Sequence, residues 1–429
     1  MRITVIAVGT RGDVHPLLAV AAALARSGHR VRFATESIFA AAVQQAGLEY
    51  YPLSGNFEKF HSGPAGVAFR ESLDRSPAHF RRFWKSFLAP GFRKHLNEVI
   101  EPCRGADAIV CLPYLNFAPS LTELLEIPSF VAAVVPVLAF PTGEFPYPFS
   151  NKAGETGTYE QNLRSWRRGA LMMRIGYEPI QAWREQVLGL PVQSWRESLA
   201  ATQSLPHLFG FSPRLVPKPA DWGEQPLVTG FWFHNLGAPY TPPPDLESFL
   251  ASGEPPVLVG FGSHVGRDPG RLTGIVVDAL HRAGKRGILV SGWGGLKEQG
   301  LPDSIYSTPG VPYDWLLPQT SAVVHHGGSG TVGICLRAGI PQIVTPFGYD
   351  QSFWGHRLHR AGVGAAPIDP VSMTAEQLAA AIQYATGNPE IRERAREMGQ
   401  MVTAERGTGM AVEAIEEHMA KRSSVCAAC

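Results

Sequence analysis

The sequence has few cysteines and no surplus of either charge, and these shortages exclude several classes of protein. Five cysteines in 429 residues form no disulfide framework, so we expect a cytoplasmic protein kept reduced. Lys and Arg (38) nearly balance Asp and Glu (37), which gives no argument for binding nucleic acid. The longest apolar stretch, residues 127–140, contains two prolines and cannot span a bilayer. We therefore expect no stable membrane insertion, and the short apolar run at the N-terminus does not resemble a signal peptide.

Several chemical motifs are also missing. The chain has no Walker A loop and no Gly-x-Ser-x-Gly elbow. His325 and His326 are adjacent, so on a strand they point to opposite faces and are poorly placed to chelate one ion. Cys426 and Cys429 end the sequence, and we interpret them as part of a tail. We predict no metal site and no resident cofactor.

The spacing of Glu36 raises the alternative of a dinucleotide site. This residue lies about 24 residues after Gly12, where a ribose-binding acid would fall. The loop lacks Gly-x-Gly-x-x-Gly, however. Arg11 and Asp13 occupy positions that a pyrophosphate would need small and uncharged. We therefore set NAD binding aside.

Strands and helices alternate along the chain, which predicts an α/β fold with two Rossmann-like lobes facing an interdomain cleft. In the first lobe, a strand over 3–8 leads to a helix that Pro16 opens, and the segment 118–125 reads as a later helix. A second α/β pattern begins at Pro256. The predicted divisions are an N-terminal lobe (1–215), a Pro-rich linker (216–245), a C-terminal lobe (246–400), a helix placed to pack back toward the first lobe (401–420) and a tail (421–429).

The most informative stretch is Val-Val-His-His-Gly-Gly-Ser-Gly-Thr at 323–331, where a strand runs through small residues into a predicted helix over 330–338. Such a helix start offers backbone N–H groups to an anion, and hydroxyls of Ser329 and Thr331 add donors. We predict that it holds a diphosphate. After the next strand, Asp350 and Gln351 are suited to grip sugar hydroxyls.

Asp13 follows the first strand, at the functional edge of a parallel sheet. Its carboxylate can accept a proton from a hydroxyl, or it can simply cap the following helix, and the residues alone leave both open. His15 reads as a structural neighbour. The aromatic region 54–92 and the Pro- and Gly-rich region 136–158 are long enough to line a binding site. Within the first, the basic aromatic segment 80–88 is either a packed helix or a surface for a lipid-like acceptor.

Seven segments in one order resemble a known family: residues 9–16, 259–263, 291–295, 311–317, 325–331, 336–341 and 346–355. Together they resemble the GT-B glycosyltransferases of family 1, in the branch of bacterial natural-product and sterol glycosyltransferases. The resemblance implies an N-terminal lobe for the acceptor and a C-terminal lobe for a nucleotide-activated sugar. It also implies that Asp13 is the general base and that no metal is needed.

The resemblance assigns site residues by position. The expected donor-binding residues are Gly12, Ser263, Trp293, Val311, His325, Gly327, Gly328, Ser329, Gly330, Thr331, Asp350 and Gln351. The expected acceptor-binding residues are Thr10, Phe60, Phe80, Trp84, Pro136 and Phe140. Gly310 and Gly333 stand where plant members carry a base-stacking Trp and a ribose-binding Glu, so this motif does not separate UDP from dTDP.

We therefore predict an inverting hexosyltransferase. It would move a sugar from a UDP- or dTDP-sugar to a hydroxyl of an apolar acceptor such as an aglycone, sterol or lipid. The alternatives are a nucleotide-sugar epimerase and a non-catalytic GT-B partner that activates a true transferase. The intact Asp13, His325, Asp350 and Gln351 argue against the second.

Overall fold

Two parallel β-sheets organise the chain in a computed structural model, which describes residues 1–66, 68, 82, 84, 88–113, 116–138, 141–150, 157–234, 240–262, 269–292 and 300–427. The first sheet contains Arg2–Ile6 (β1), Arg30–Glu36 (β2), Glu49–Leu53 (β3), Ala108–Cys111 (β4), Ser129–Ala133 (β5), His207–Phe209 (β6) and Leu227–Val228 (β7), in the spatial order β3-β2-β1-β4-β5-β6-β7. The second contains Val257–Gly260 (β8), Gly287–Val290 (β9), Ile305–Thr308 (β10), Ala322–His325 (β11) and Gln342–Val344 (β12), in the order β10-β9-β8-β11-β12.

Helices connect the strands and cover the sheets, as right-handed parallel crossovers require. In the first lobe they are Arg11–Arg26 (α1), Ala40–Gln45 (α2), Phe57–Ser62 (α3), Ala89–Glu98 (α4), Ile100–Cys103 (α5), Ala118–Leu125 (α6), Tyr159–Met173 (α7), Tyr177–Gln186 (α8) and Trp195–Gln203 (α9). The later ones are Pro244–Ala251 (α10), Pro269–Ala283 (α11), Tyr313–Leu316 (α12), Ser329–Arg337 (α13), Gln351–Arg360 (α14), Ala375–Gly387 (α15), Pro389–Thr403 (α16) and Gly407–Ala427 (α17). Short 3-10 turns occupy Ser37–Phe39, Arg174–Gly176 and Leu317–Gln319.

The start of α1 corrects one prediction. The helix begins at Arg11 and not at Pro16, because Thr10 and Asp13 form a capping box around its first turn. Pro16 lies inside the helix, where it removes one backbone donor without ending the element. Asp13 is therefore the third residue of a helix whose positive end faces the cleft.

Each sheet has a switch point, where the strand order reverses. In the first sheet it lies between β1 and β4, and in the second between β8 and β11. Ligands of open α/β sheets bind beside such points, beyond the carboxyl ends of the strands. Asp13 lies in the first turn of α1, reached by the loop after β1, and His326 lies in the loop after β11. The fold therefore puts the two most informative loops at the two preferred binding edges.

The lobes share apolar packing. One buried cluster fills the first lobe and continues through Val332, Leu336 and Trp354 of the second. The ring of Phe145 lies 5.4 Å from that of Phe353, centroid to centroid. These contacts place the carboxyl ends of the two sheets opposite each other.

Helix α17 returns to the first lobe. Glu416 on this helix accepts a hydrogen bond from His29 at 2.8 Å, and Arg422 donates to the carbonyl of Glu126 at 2.8 Å. This tether joins the end of the chain to the lobe that carries Asp13. Within the described ranges, none of the helices combines the length and the apolarity needed to cross a membrane.

Candidate active site

Asp13 is held at the mouth of the first lobe. Its Oδ2 accepts hydrogen bonds from the amide and the hydroxyl of Thr10, each at 2.8 Å. The side chain is half-buried, and Gly12 beside it is exposed. Asp13 therefore does cap α1. Both bonds use one oxygen, so capping orients the carboxylate without excluding proton acceptance.

Thr10 is tied to the carboxylate of Asp13. Its hydroxyl donates to Asp13, and the contact of Thr10 with an acceptor stays a prediction. His15, one turn along the helix, lies 6.0 Å from the ring of His234, centroid to centroid. Burial, and then the charges of His234 and Arg11, lower the pKa of His15 to about 4. A ring that is neutral near pH 7 and packed on its neighbours agrees with a structural role.

His325 is fully buried, and this corrects its predicted role. Its Nδ1 accepts from the amide of Gly327 at 3.0 Å, and its Nε2 lies 2.9 Å from the side-chain oxygen of Gln342. Burial, followed by the neighbouring His326, lowers the pKa of His325 to about 3. A neutral ring with both nitrogens bonded inside the protein cannot contact a diphosphate. His325 instead fixes the backbone of the loop.

His326 was not among the predicted site residues, and it faces the loops at the switch point. A Cβ on Gly262 would lie 3.1 Å from its Cε1, and one on Gly328 would lie 2.5 Å from its Nε2. The ring is thus in contact with the loop after β8 and with the loop that starts α13. The residue is half-buried, in contrast to the fully buried His325. Strand alternation already implied that one of the two histidines points out, but it did not say which.

The small residues at 327–331 form an open helix start. Gly328 is the N-cap of α13 and contributes no side-chain cap, which leaves the first amides directed at the cleft. Gly330 is exposed, and a Cβ there would meet nothing within 4 Å. Ser329 is buried and Thr331 is half-buried. This helix end can therefore accommodate an anion against its backbone.

Gly327 shows why the loop needs glycine. Its φ is +91°, and a Cβ would lie 2.6 Å from Val344 and 2.9 Å from the carbonyl oxygen of Gln351. The anion loop is therefore packed directly against the turn that carries Asp350 and Gln351. Gly327 and Gln351 are far apart in the sequence, but they contribute to one surface of the cleft.

Asp350 and Gln351 differ in their surroundings. Asp350 is half-buried, and its Oδ2 accepts from Nε1 of Trp354 at 2.6 Å. Gln351 is 2% exposed, and its side-chain oxygen accepts from the amide of Phe347 at 2.7 Å. The oxygen of Gln351 is thus committed to shaping the turn. Of the predicted pair, Asp350 is the better placed to meet a sugar hydroxyl.

The charges of Asp13 in the first lobe and Asp350 in the second lobe interact. Burial is the main cause that raises the pKa of Asp350 to about 6. The hydrogen bond from Trp354 acts against it, and the charge of Asp13 contributes in the same direction as burial. The two carboxylates therefore lie close enough for their charges to interact. The structure therefore brings together an acid from the first lobe, an acid from the second and an open helix start.

The structure describes the surroundings of four of the remaining predicted residues. Val311 is 8% exposed in an apolar cluster, so only its backbone can serve a ligand. Pro136 is buried after β5, Phe60 packs on Phe57, and Trp84 packs on Phe92. Ser263, Trp293, Phe80 and Phe140 lie outside the described residues. Among the residues that the structure describes, no group of three or more His, Cys, Asp or Glu could hold a metal.

Comparison with known proteins decides the family. The Glycosyltransferase family 28 N-terminal domain matches residues 3–140, and the Erythromycin biosynthesis protein CIII-like C-terminal domain matches residues 295–417. The O-mycaminosyltylonolide 6-deoxyallosyltransferase of Streptomyces fradiae is 35% identical over 436 residues, covering 99% of each chain. The chain belongs to the GT-B glycosyltransferases. The predicted family and the hexosyltransferase class are both confirmed.

Plant proteins are also similar to this glycosyltransferase. Sterol 3-beta-glucosyltransferase UGT80A2 of Arabidopsis thaliana is 36% identical, with 98% of this chain and 66% of the relative covered. Its relative UGT80B1, from the same plant, is 34% identical, with 98% and 68% covered. The glycosyltransferase thus spans about two thirds of the length of these plant relatives.

Solved structures share the fold of this glycosyltransferase. The glycotransferase of kitacinnamycin aligns with a TM-score of 0.72 at 21% identity, covering 97% of this chain and 99% of that one. The glycosyltransferase VinC in complex with dTDP aligns with a TM-score of 0.66 at 17% identity, covering 98% and 100%. The predicted two-lobed GT-B architecture is confirmed.

Proposed function

We propose that this glycosyltransferase transfers a hexosyl group, with inversion, from a nucleoside-diphosphate sugar to a hydroxyl of an apolar small molecule. The observation that carries the proposal is the meeting of Asp13, Asp350 and the open start of α13 at the facing switch points. Each of these groups supplies something different. The first can take a proton, the second can hold a sugar hydroxyl, and the third can hold negative charge.

The diphosphate belongs at the start of α13. Backbone amides there are fixed before the ligand arrives, and the helix dipole favours an anion. We assign the contact to the backbone of Gly328–Thr331 and to the ring of His326, in place of His325. A neutral His326 can donate one hydrogen bond, since burial lowers its pKa to about 4.

The reaction is a single displacement. The acceptor oxygen attacks the anomeric carbon from the side opposite the diphosphate. The new C–O bond forms as the bond to the diphosphate oxygen breaks. The hydroxyl proton passes to Asp13, and the leaving electron pair stays on the diphosphate, where the amides of α13 meet it. A positioned donor of this kind contributes about 3 kcal/mol to the barrier reduction, and general-base catalysis contributes about 10²–10⁴ in rate.

The charge of the leaving group is thus met by protein amides, so we propose that the reaction needs no metal and no other cofactor. The acceptor is assigned to the first lobe, beyond Asp13. Transfer to sterols and to O-mycaminosyltylonolide, which the names of the relatives state for those proteins, supports an apolar, ring-containing acceptor. Cys103, Cys111 and Cys335 are buried free thiols, which supports a cytoplasmic location.

The purified protein tests this proposal directly. We expect UDP-glucose or a dTDP-sugar, together with a panel of sterols, macrolactones and phenols, to give a β-linked product from an α-linked donor. EDTA should leave the rate unchanged. Conversion of the nucleotide sugar to an epimer without any acceptor would instead indicate an epimerase. Activity only in the presence of a second transferase would indicate an activator.

A further inference from the structure

Glu36 is a buried acid that has no role in the reaction proposed above. It ends β2, which pairs with β1 in the register Ile6 with Ala34, so it lies at the same sheet edge as the Asp13 loop. The residue is 2% exposed. Burying a carboxylate is costly unless hydrogen bonds compensate it, so its presence here calls for an explanation.

Within the described part of the chain, the carboxylate of Glu36 accepts hydrogen bonds on one oxygen only. Its Oε1 accepts from the amide of Phe57 at 3.0 Å, and the amide of Gly9 also stabilises its charged form. Its Oε2 is buried and accepts no hydrogen bond from the described part of the chain. Phe57 begins α3, the first helix of the region predicted to bind the acceptor. Glu36 thus ties that region to the loop of the base.

Gly9 separates Glu36 from Asp13. Its φ is +133°, and a Cβ there would lie 2.6 Å from Oδ2 of Asp13. The carboxylate of Asp13 therefore rests against the α-carbon of the residue whose amide serves Glu36. Asp13 and Glu36 thus lie on either side of Gly9, and the charge of Asp13 raises the pKa of Glu36.

The other neighbours of Glu36 leave this interaction intact. A Cβ on Gly55 would lie 2.9 Å from Oε1 of Glu36 and 3.3 Å from Nε2 of His95, so the histidine of α4 is another titratable group nearby. The ring of His95 contacts the carbonyl of Ser54, not the carboxylate. Asp13 on α1 is the acid that faces Glu36 across Gly9.

We propose, resting on the proposed function above, that Glu36 is a positioning residue for the base Asp13 and for the first acceptor helix. It holds the amides of Gly9 and Phe57 in place. Its negative charge, one glycine from Asp13, favours protonation of Asp13 at the moment when the acceptor hydroxyl gives up its proton. A merely structural acid would supply only the first of these effects.

The charge of Glu36 is adjustable near neutral pH. Burial is the main cause that raises the pKa of Glu36 to about 7. The amides of Phe57 and Gly9 act against it, and the charge of Asp13 contributes in the same direction as burial. As the pH rises through about 7, Glu36 becomes charged and should assist Asp13. The wild type should therefore show a rise in kcat/KM for the acceptor in this range.

The test is the pH profile of Glu36→Gln between pH 5.5 and 8.5. Gln keeps the shape and still accepts from the two amides, but it carries no charge. We expect the rise near pH 7 to disappear and the rate at pH 8 to be about fivefold lower. Glu49→Gln is the matched control, because Glu49 lies on the neighbouring β3, half exposed and paired with Arg32. Its profile should match the wild type.

Two further results keep the inference separate from the proposed function. Wild-type transfer that Asp13→Asn abolishes would support the function, whatever Glu36 does. If Glu36→Gln then retained the wild-type profile, the inference alone would be overturned. If Glu36→Gln failed to fold, Glu36→Asp would decide, since it keeps a charge and should keep the rise near pH 7 with a higher acceptor KM. Loss of the rise in Glu36→Asp would contradict the proposal.

Discussion

The two halves of the candidate site differ in their functional groups, which are carboxylate side chains in one lobe and backbone amides in the other. At the switch point of the first lobe, the chemistry lies in carboxylate side chains, Asp13 and the buried Glu36 behind it. At the switch point of the second lobe, it lies in backbone amides at the start of α13, with glycine at 327, 328 and 330. Proton transfer needs a group whose charge changes, whereas a diphosphate needs donors that are fixed in advance. We infer that the first lobe supplies the proton transfer and that the second holds the donor and meets the charge of its leaving group.

The largest expected effect is on the first lobe. Replacing Asp13 with Asn should lower kcat by about 10²–10⁴, because Asn keeps the cap on α1 but cannot take the proton. Steady-state kinetics at saturating donor and acceptor check the loss. The melting temperature should stay close to that of the wild type, since Thr10 can still donate to the Asn side-chain oxygen. A variant that keeps more than a tenth of wild-type kcat would rule out Asp13 as the base.

The next contrast lies within the second lobe, between the two adjacent histidines. His325→Ala should lower the free energy of unfolding by about 2–4 kcal/mol, because it leaves a cavity and unpaired partners at Gly327 and Gln342. His326→Ala should fold normally and bind the nucleoside diphosphate about tenfold more weakly. Denaturant titration and calorimetry separate the two outcomes. The reverse pattern, with His325→Ala stable and defective only in donor binding, would restore the prediction made from the sequence.

The smallest effect is the pH dependence contributed by Asp350. Its pKa is raised in the folded protein to about 6, so its stabilising contribution is complete below the unfolded value and is lost as the pH rises through about 6. Asp350→Asn should therefore be more stable than the wild type by about 1–2 kcal/mol at pH 8, with little difference at pH 4, while transfer is slower. Thermal melting at both pH values measures this.

The control for that prediction is Asp314→Asn, because Asp314 is half exposed and paired with Arg337. It should show no gain at pH 8. An Asp350→Asn variant with the same stability difference at both pH values would mean that Asp350 is not an ionised, partly buried acid near neutral pH.

The sequence predicted the local pieces well. Residues 118–125 were predicted as a helix and form one, and the helix predicted at 330 begins one residue earlier, at Ser329. The positions of the two loops at strand ends follow from β-α-β alternation, which is a local pattern. Strand β10 has little local signal, because Ile305–Thr308 is short and half polar, and it becomes a strand only through pairing with β9.

What the sequence could not provide depends on register and on contacts between distant residues. Whether His325 or His326 points inward depends on how β11 pairs, with His325 opposite Gly260 and near Gln342. The start of α1 depends on a capping box that outweighs the proline signal. The interaction of Asp13 with Asp350 joins two lobes, and the link from Glu36 through Gly9 becomes visible only when the loops pack.

In the proposed mechanism the first lobe takes the proton and the second lobe holds the donor, and nucleotide binding distinguishes these two roles. Calorimetric titration of UDP and of dTDP into wild type, Asp13→Asn and His326→Ala would be carried out under one set of conditions. We predict that Asp13→Asn binds the preferred nucleotide within about twofold of wild type, whereas His326→Ala binds it about tenfold more weakly. If Asp13→Asn lost as much nucleotide affinity as His326→Ala, the division between a proton-transferring lobe and a donor-holding lobe would be wrong.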